Sequence, residues 1–346
     1  MKALCYYGPR DVRYGEVPDA AINDDRDVIV RVEQAGICGS DLHIYHGTGF
    51  SADVGFSVGH EAIGVVTETG SAVRKLKRSD RVMVSAAVGC GSCRSCLAGV
   101  VARCEAGMAG CYGLSHQLAG CQAEFVRVPA ADFNAAVIPE GVTDEQALML
   151  TDNLPTAYFG CLNADIAPGK IAAVVGLGPI GLMAVECAFV LGASRVFAID
   201  LIAERRAIAA TLGAEALDGS TAVREIFAAT GGRMVDCVVE AVGVDATVQM
   251  AIQLAGSGGT TSVVGVNMNM QFSFPMALAF AKSLTYRIGM CSVQCHWPDL
   301  VRLIRGGRLH PERFISHRIP LSDGARAYEL FDARADGALK MVLTNP

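Results

Sequence analysis

The stretch "IAAVVGLGPIGLMAVECAFVLGA", residues 171–193, decides how the chain folds, because two structures compete for it. Its length and its single charge, Glu186, would suit a membrane span. Three glycines and a proline interrupt the apolar run near its beginning, however. We therefore interpret the stretch as a buried strand, a tight turn and a buried helix, and we expect a soluble chain.

The turn in this stretch has G-x-G-x-x-G spacing, with Gly176, Gly178 and Gly181 enclosing Pro179 and Ile180. The motif carries weight because it directly follows an apolar strand and opens a helix. Its glycines let the backbone approach a pyrophosphate, whose charge then lies at the helix N-terminus. These five residues predict a dinucleotide site. A doubly wound domain without a nucleotide is the alternative.

An acidic residue follows at the distance expected for ribose recognition. Asp200 ends the strand "RVFAID", nineteen residues after Gly181. A carboxylate there would accept hydrogen bonds from the adenosine ribose and repel a 2′-phosphate, which favours NAD over NADP. Arg205 and Arg206 complicate this preference, because an arginine can hold that phosphate or pack beside the adenine. Arg205 is a further candidate for cofactor binding.

The rest of the chain changes character near residue 155. Before it, short strands rich in valine and isoleucine alternate with turns, which predicts an irregular β domain. After it, apolar strands alternate with helical stretches, which predicts a parallel sheet covered on both faces and an α/β fold. The pattern is mixed again after about residue 290, so the last segment could return to the first domain.

Composition excludes several classes of protein. The 346 residues are 51% hydrophobic and 18% charged, unlike a disordered chain or a coiled coil. A net charge of −6 without a long run of lysine and arginine argues against nucleic acid as a partner. The N-terminus lacks the apolar core of a signal peptide. We therefore expect a cytoplasmic protein, without a membrane partner, whose thirteen cysteines stay reduced.

The loop "GCGSCRSCLAGVVARC", residues 89–104, contains Cys90, Cys93, Cys96 and Cys104. Four thiolates this close in flexible chain can converge on one tetrahedral zinc, at about 2.3 Å per bond. A disulfide pair is the competing interpretation. A reducing compartment favours the metal.

A second set of candidate ligands is spread along the chain. It comprises Cys38 in "GICGSDLH", His60 and Glu61 in "VGHEAIG", and Asp152 in "LMLTDNLPTAYFG". Taken singly, each has an ordinary explanation: a buried thiol, a hydrogen-bonded core histidine, or an aspartate that caps a helix.

Taken together, these motifs resemble the zinc-containing alcohol dehydrogenases of the medium-chain dehydrogenase/reductase family. The matching pieces are "CGSDLH", "GHE", the four-cysteine loop, the aspartate before the nucleotide domain, "GLGPIG" and Asp200. The resemblance implies a GroES-like catalytic domain at 1–154 with a structural zinc lobe at 89–105. It also implies a Rossmann NAD-binding domain at 155–290 and a segment at 291–346 that returns to the catalytic domain.

The resemblance implies two zinc ions per chain. Cys38, His60 and Asp152 match the ligands of the catalytic zinc; many members have a cysteine in place of Asp152, and a bacterial secondary-alcohol branch has aspartate. Glu61 matches a glutamate that approaches or replaces a ligand during turnover. Three protein ligands leave a fourth position for water or an alcohol, whose pKa the metal lowers. The structural zinc would be held by Cys90, Cys93, Cys96 and Cys104.

The resemblance also assigns a proton relay and a cofactor contact. Ser40 and His43 match a path from the alcohol through a serine hydroxyl and the cofactor ribose to a histidine, whose pKa near neutrality suits this role. Their ordinary alternatives are a turn hydroxyl and an exposed loop histidine. Asp41 is expected to pair with an arginine. Lys340 matches a basic residue that reaches the pyrophosphate, although a solvated lysine would fit equally.

The sequence therefore predicts an oxidoreductase that transfers a hydride reversibly between NAD and a secondary alcohol or diol. A dehydrogenase of aldehyde hydrates or sugar derivatives would keep every motif. A nucleotide-binding regulator with structural zinc and a zinc-free quinone reductase are alternatives that the ligand pattern disfavours. The family implies a homotetramer or homodimer. Candidate walls of the substrate pocket are Phe50, Phe56, Asn153 and Trp297.

Overall fold

The computed structural model describes residues 1–49, 51–108 and 110–345, so Phe50 lies outside the described residues. Two units can be distinguished, Met1–Pro155 with Ser292–Pro346, and Thr156–Cys291. The described strands are β1 (Lys2–Gly8), β2 (Asp11–Glu16), β3 (Val28–Ile37), β4 (Phe56–Ser57), β5 (Glu61–Thr69), β6 (Arg81–Val84), β7 (Ala87–Val88), β8 (Gly110–Cys111), β9 (Phe125–Val128), β10 (Ala135–Val137), β11 (Ile171–Val175), β12 (Arg195–Asp200), β13 (Glu215–Asp218), β14 (Val235–Glu240), β15 (Ala255–Val263), β16 (Thr285–Ile288), β17 (His317–Pro320) and β18 (Met341–Thr344).

Helices connect many of these strands. They are α1 (Asp41–Tyr45), α2 (Arg94–Leu97), α3 (Ala131–Asn134), α4 (Asp144–Met149), α5 (Asn153–Asn163), α6 (Pro179–Val190), α7 (Ala203–Thr211), α8 (Ala222–Ala229), α9 (Asp245–Leu254), α10 (Met276–Ala281), α11 (Trp297–Arg305) and α12 (Gly324–Ala333). Short 3₁₀ turns lie at Val101–Arg103, Val293–Cys295, Pro311–Phe314, Leu321–Asp323 and Ala335–Gly337.

The main sheet of the first unit has the order β10-β6-β5-β3-β18-β17, with β9 also paired to β3. Strand β3 has valine at every second position of "VIVRV", and these valines are buried in the hydrophobic core. A period of two with one buried face is typical of an antiparallel sheet. Strand β18 pairs antiparallel with β3, so the end of the chain completes the sheet of its beginning.

The register of this sheet brings distant segments together. In the antiparallel pair β3–β5, Gly36 lies opposite Glu61. In the pair β18–β3, Met341 lies opposite Ile37. The end of β3, the beginning of β5 and the beginning of β18 therefore meet at one place, where Cys38, Glu61 and Lys340 are found.

The second unit contains a six-stranded parallel sheet of order β13-β12-β11-β14-β15-β16. The strand order reverses beside β11, and ligands of such folds bind at the carboxyl ends of the strands at this point. Residues 171–193 form β11, the glycine turn and α6, whose interior is almost wholly buried. This confirms the predicted α/β fold. In the described parts of the chain, each helix is too short or too polar to cross a membrane.

Candidate metal centres and nucleotide site

The four cysteines of the loop converge. Their sulfur atoms all lie within 4.8 Å of one another, and Cys90 Sγ is 3.9 Å from Cys96 Sγ. Sulfurs around a tetrahedral zinc with bonds of about 2.3 Å are separated by about 3.8 Å. A disulfide requires about 2.05 Å, and the structure shows all thirteen cysteines, each within the described residues, as free thiols.

Backbone amides are directed at these sulfurs. The amide of Cys93 donates to Cys90 Sγ (3.3 Å), that of Cys96 to Cys93 Sγ (3.4 Å), and that of Cys90 to Cys104 Sγ (3.4 Å). Hydrogen bonds from Ser92 lower the pKa of Cys90 to about 6, whereas burial raises that of Cys96 to about 12. A metal ion would hold all four as thiolates, because its charge replaces their protons.

Buried amide side chains anchor the base of this lobe, and sequence reasoning missed them. Asn134 donates to the Gly89 carbonyl (2.7 Å) and accepts from the Gly89 amide (3.1 Å). Gln294 donates to Asn134 Oδ1 (3.0 Å), and Ser85 donates to Gln294 Oε1 (3.0 Å). Glutamine and asparagine in mixed sequence give no signal of such contacts.

The second candidate centre joins three segments of the first unit. Cys38 follows β3, His60 precedes β5, and Asp152 precedes α5. Asp152 Oδ2 lies 3.3 Å from Cys38 Sγ and 3.7 Å from His60 Nε2. These distances match the edges of a zinc tetrahedron, about 3.3–3.8 Å for bonds of about 2.0–2.3 Å. The thiol, imidazole and carboxylate are a donor set that fits zinc.

A carboxylate faces the ring of His60. Asp41 Oδ1 lies 3.2 Å from His60 Nδ1, while Asp41 Oδ2 accepts a hydrogen bond from the Cys38 amide (2.9 Å). A ligating histidine commonly donates its other ring N–H to a carboxylate, which leaves the remaining nitrogen for the metal. Nε2 is that nitrogen here. The expectation that Asp41 pairs with an arginine is wrong, because its carboxylate faces the imidazole.

Glu61 and Lys340 form an ion pair that is completely buried. Lys340 Nζ donates to both Glu61 oxygens, at 2.6 and 2.5 Å, and to the Ile37 carbonyl at 3.0 Å. Burial raises the pKa of the Glu61 carboxyl, and the Lys340 ammonium opposes that rise. Gly36 makes room for the pair, since a Cβ there would lie 1.9 Å from Glu61 Oε2.

This ion pair corrects the assignment of Lys340 as a pyrophosphate ligand. An ammonium has three N–H donors, and the Lys340 group uses them on Glu61 and Ile37. Both side chains of the pair have 0% relative exposure. Lys340 is therefore a core residue that holds Glu61 beside the ligand cluster.

The two candidate relay residues lie on or next to α1. Ser40 is the residue before this helix, and its Oγ is 3.3 Å from His60 Nε2. His43 follows on the helix, half-buried, and its carbonyl accepts from Thr48. The structure thus brings Ser40 to the ligand cluster and places His43 one turn further along.

The candidate pocket walls have different environments. Phe56 is buried in the main core, where its ring packs against Tyr6. Trp297 is buried, donates to the Leu150 carbonyl (2.8 Å) and borders a cavity of about 330 Å³. Asn153 is buried at the ligand cluster itself.

The glycine turn after β11 has the geometry of a phosphate-binding loop. Gly176 has φ +89°, and a Cβ there would lie 2.3 Å from a methyl of Val242. A Cβ on Gly181 would lie 1.7 Å from the Gly176 carbonyl oxygen. At Gly178, by contrast, the nearest atom to a Cβ is Arg205 Nη1 at 3.9 Å. The space in front of this glycine is open to a ligand.

Helix α6 begins directly behind this space. Gly178 is its N-cap residue, and Pro179 and Ile180 occupy its first two positions. Proline lacks the N–H that would be unpaired at this position, and its fixed φ suits a helix start. The first turn therefore directs its remaining N–H groups and the positive end of the helix dipole towards the opening.

Asp200 lies beside the same turn. Its carboxylate accepts backbone hydrogen bonds from Leu177 (2.7 Å) and Ile202 (2.9 Å). Arg205 Nη1 is 4.0 Å from Asp200 Oδ2, and Arg206 donates to the Asp200 carbonyl (2.9 Å). The structure brings together Asp200, Arg205 and the glycine turn, as a dinucleotide site requires.

Glu240 supports this site and was missed in the sequence. It ends β14, and its Oε1 accepts hydrogen bonds from the Val242 and Gly243 amides (2.9 Å each) and from Thr247 (2.7 Å). Burial raises the pKa of this carboxyl. The loop that it holds includes the valine packed against Gly176. An acid directly after the apolar run "CVV" was the available signal.

Comparison with known proteins agrees with this geometry. The family model "Alcohol dehydrogenase GroES-like domain" matches residues 24–140, and "Zinc-binding dehydrogenase" matches residues 179–306. A Mycobacterium tuberculosis protein named "Probable zinc-binding alcohol dehydrogenase" is 42% identical over 344 residues, covering 99% of this chain and 88% of the relative.

Solved structures give the same result. An alcohol dehydrogenase from Thermus sp. ATN1 is 39% identical, with 99% of each chain covered and a TM-score of 0.93. The 2R,3R-butanediol dehydrogenase of Bacillus subtilis is 25% identical, covering 100% of this chain and 99% of that one, with a TM-score of 0.86. The resemblance found in the motifs is confirmed, and this chain belongs to the zinc-type alcohol dehydrogenases of the medium-chain dehydrogenase/reductase family.

Proposed function

We propose that this protein oxidises a secondary alcohol or diol with NAD and catalyses the reverse reduction of the ketone. The observation that carries this proposal is the set of buried Cys38, buried His60 and partly buried Asp152, spaced for a tetrahedral metal. Glu61 is bonded to Lys340 and is therefore not counted as a metal ligand. The three remaining protein ligands leave a fourth position on the metal for the substrate oxygen. A centre with only a structural role would use four protein ligands, as the cysteine lobe does.

The residues around this centre have distinct tasks in the proposed reaction. When bound, zinc supplies Lewis acidity and NAD supplies the hydride acceptor. Asp41 Oδ1 lies 3.2 Å from Nδ1 of His60 and favours a proton on that nitrogen, so that Nε2 would keep its lone pair for the metal. Ser40 Oγ, 3.3 Å from this nitrogen, is placed to take the proton of the alcohol. His43 would receive it at the outer end of the relay.

Two arguments support the substrate class. Aspartate rather than cysteine at position 152 resembles the secondary-alcohol branch of the family. One solved relative is a butanediol dehydrogenase, as reported above. We extend this substrate class to the present chain as part of the proposal.

The test is NAD reduction by the purified holoenzyme with primary alcohols, secondary alcohols, diols, polyols and hydrated aldehydes. We expect secondary alcohols or diols to give the highest kcat/KM, and a chelator-treated sample to be inactive. Preference for a hydrated aldehyde would contradict the proposed substrate class, but the proposed metal centre would still stand. Turnover that survives complete removal of zinc would contradict the proposal as a whole.

Asp200→Gly is expected to reduce discrimination against NADP. The carboxylate would repel a 2′-phosphate, so its removal should lower the ratio of kcat/KM for NAD to that for NADP by about 10-fold or more. The matched control is Glu215→Gln, which removes a carboxylate from the same neighbouring strand, where it pairs with Arg195 instead of with the arginines beside Asp200. That ratio should not change in the control. An unchanged ratio in Asp200→Gly would show that the ribose is recognised elsewhere.

We also propose that the chain forms a homo-oligomer through β16, an outer strand of the described parallel sheet. Large apolar side chains are exposed nearby, with Ile288 at 64%, Met276 at 68% and Phe280 at 85%. Exposed apolar groups beside an unpaired strand edge favour pairing with a second copy. Light scattering of the purified protein should therefore give a dimer or tetramer mass. A monomer at micromolar concentration would contradict this proposal.

A further inference from the structure

The side chain of Asn153 lies among the members of the reactive cluster. Its Nδ2 is 2.9 Å from Asp152 Oδ2, 3.0 Å from Glu61 Oε1 and 3.8 Å from Cys38 Sγ. Its relative exposure is 2%. One amide nitrogen thus contacts two carboxylates and a thiol from three separate segments of the chain. A wall of the substrate pocket, as expected from the sequence, would not require these contacts.

The charges around Asn153 determine how its amide is oriented. Rotating the amide by half a turn would place Oδ1, an acceptor, against two carboxylate oxygens that are also acceptors. The nitrogen has two N–H donors, which is one for each carboxylate. On the other side, Oδ1 is buried and has no hydrogen-bond partner among the described residues. The amide is therefore held by its bonds to Asp152 and Glu61.

These two bonds separate the two carboxylates. Asp152 Oδ2 faces Cys38 Sγ and His60 Nε2 at 3.3 and 3.7 Å. Glu61 instead receives two hydrogen bonds from Lys340. Both carboxylates offer oxygen atoms within 4.8 Å of the other candidate ligands, so distance alone does not decide which of them ligates the metal.

We propose that Asn153 is a positioning residue that selects Asp152, rather than Glu61, as the third protein ligand. It donates one N–H to each carboxylate and so keeps Asp152 on the metal side and Glu61 on the lysine side. Asn153 directly follows Asp152 and begins α5, which couples its placement to the placement of the ligand. This inference rests on the proposed function, because it concerns the same metal centre.

Two variants test the proposal, Asn153→Ala and Asn153→Leu. Both lose the amide; alanine leaves space, and leucine fills it. The matched control is Thr151→Val, which is also fully buried and lies two residues away, but whose hydroxyl donates to the Leu148 carbonyl. Thermal unfolding of each holoenzyme verifies that the variants fold. If the leucine variant does not fold, the alanine variant alone decides the test.

The first readout is the release of zinc from the holoenzyme to a competing chelator. Loss of a group that hydrogen-bonds to a metal ligand typically lowers metal affinity by 10- to 100-fold. We expect the more weakly held zinc to bind about 10 to 100 times less tightly in both Asn153 variants. The zinc of the cysteine lobe should be unchanged, and Thr151→Val should behave as the unmodified protein.

The second readout is the visible spectrum after cobalt replaces the weakly held zinc. Cobalt absorption depends on the number, type and geometry of its ligands, so it reports a change in coordination independently of turnover. We expect an altered spectrum in the Asn153 variants and an unaltered one in Thr151→Val. A variant that had only lost stability would keep the spectrum of the unmodified protein.

The outcomes separate this inference from the proposed function. If the unmodified protein holds two zinc ions, and Asn153→Ala keeps its zinc affinity and cobalt spectrum, the inference is overturned while the proposed function stands. If the unmodified protein holds only the zinc of the cysteine lobe, the proposed reactive centre fails and the inference fails with it.

Discussion

Replacing Cys38 with serine is expected to lower kcat/KM by at least about 10³-fold while leaving the protein folded. A serine hydroxyl is a poor zinc ligand at neutral pH, whereas the thiolate of Cys38 would be one of only three protein ligands. A catalytic metal contributes several kcal/mol to stabilising the transition state, and about 4 kcal/mol corresponds to about 10³ in rate. The change from sulfur to oxygen is small, so the surrounding core should tolerate it.

The measurement combines kinetics with metal content. The unmodified chain should contain two zinc ions, and Cys38→Ser should contain one. Cys93→Ser is the matched comparison, because the same substitution then affects the cysteine lobe. It should lower the unfolding temperature, since structural zinc contributes to folding free energy, with a much smaller effect on kcat/KM of the folded fraction. A Cys38→Ser enzyme with normal turnover would disprove the assigned reactive centre.

The features that sequence predicted best are those encoded locally. The glycine turn, its preceding strand and its following helix occupy 23 consecutive residues, 171–193. Close contacts explain Gly176 and Gly181, and the open space for a ligand explains Gly178. The four cysteines likewise lie within sixteen residues, 89–104. In such segments, the separation of two residues in the sequence determines the distance between them in the structure.

The reactive centre is a different case. Cys38 and Asp152 are separated by 114 positions, and the residues between them contain no spacing rule that would bring them together. The antiparallel register of β3 and β5 brings Cys38 beside His60, and this register depends on the packing of the whole sheet. Asp152 then approaches both from the segment before α5. Only the resemblance to a family indicated these ligands in advance.

The polar residues around the ligands were the least predictable part. Lys340 and Glu61 are 279 positions apart, and a lysine in "ALKMVLTN" has the sequence environment of an exposed residue. The sequence around Asp41 and Asn153 likewise did not indicate which residues these side chains contact. Whether a polar side chain is buried depends on a partner elsewhere in the fold, and a single sequence does not show that partner.

Replacing Lys340 with methionine is expected to give the largest loss of stability, about 3–5 kcal/mol in the free energy of unfolding. Methionine has a similar length and fills the space, but it leaves the Glu61 carboxylate buried without its cation. Breaking a buried ion pair by removing one partner typically has this cost, because an uncompensated charge remains in the interior. Urea unfolding of the zinc-loaded protein, followed by far-UV circular dichroism, would measure it.

The same substitution at an exposed pair provides the control. Lys77 Nζ lies 3.1 Å from Asp80 Oδ1, but the lysine side chain is 85% exposed, so Lys77→Met should cost less than about 1 kcal/mol. Adding Glu61→Gln to Lys340→Met should recover part of the lost unfolding free energy, because the unpaired carboxylate of Glu61 is then removed. If Lys340→Met were no less stable than Lys77→Met, the buried pair would contribute nothing beyond an exposed one. The core position of Lys340, and with it the arrangement of Glu61 beside the reactive cluster, would then be wrong.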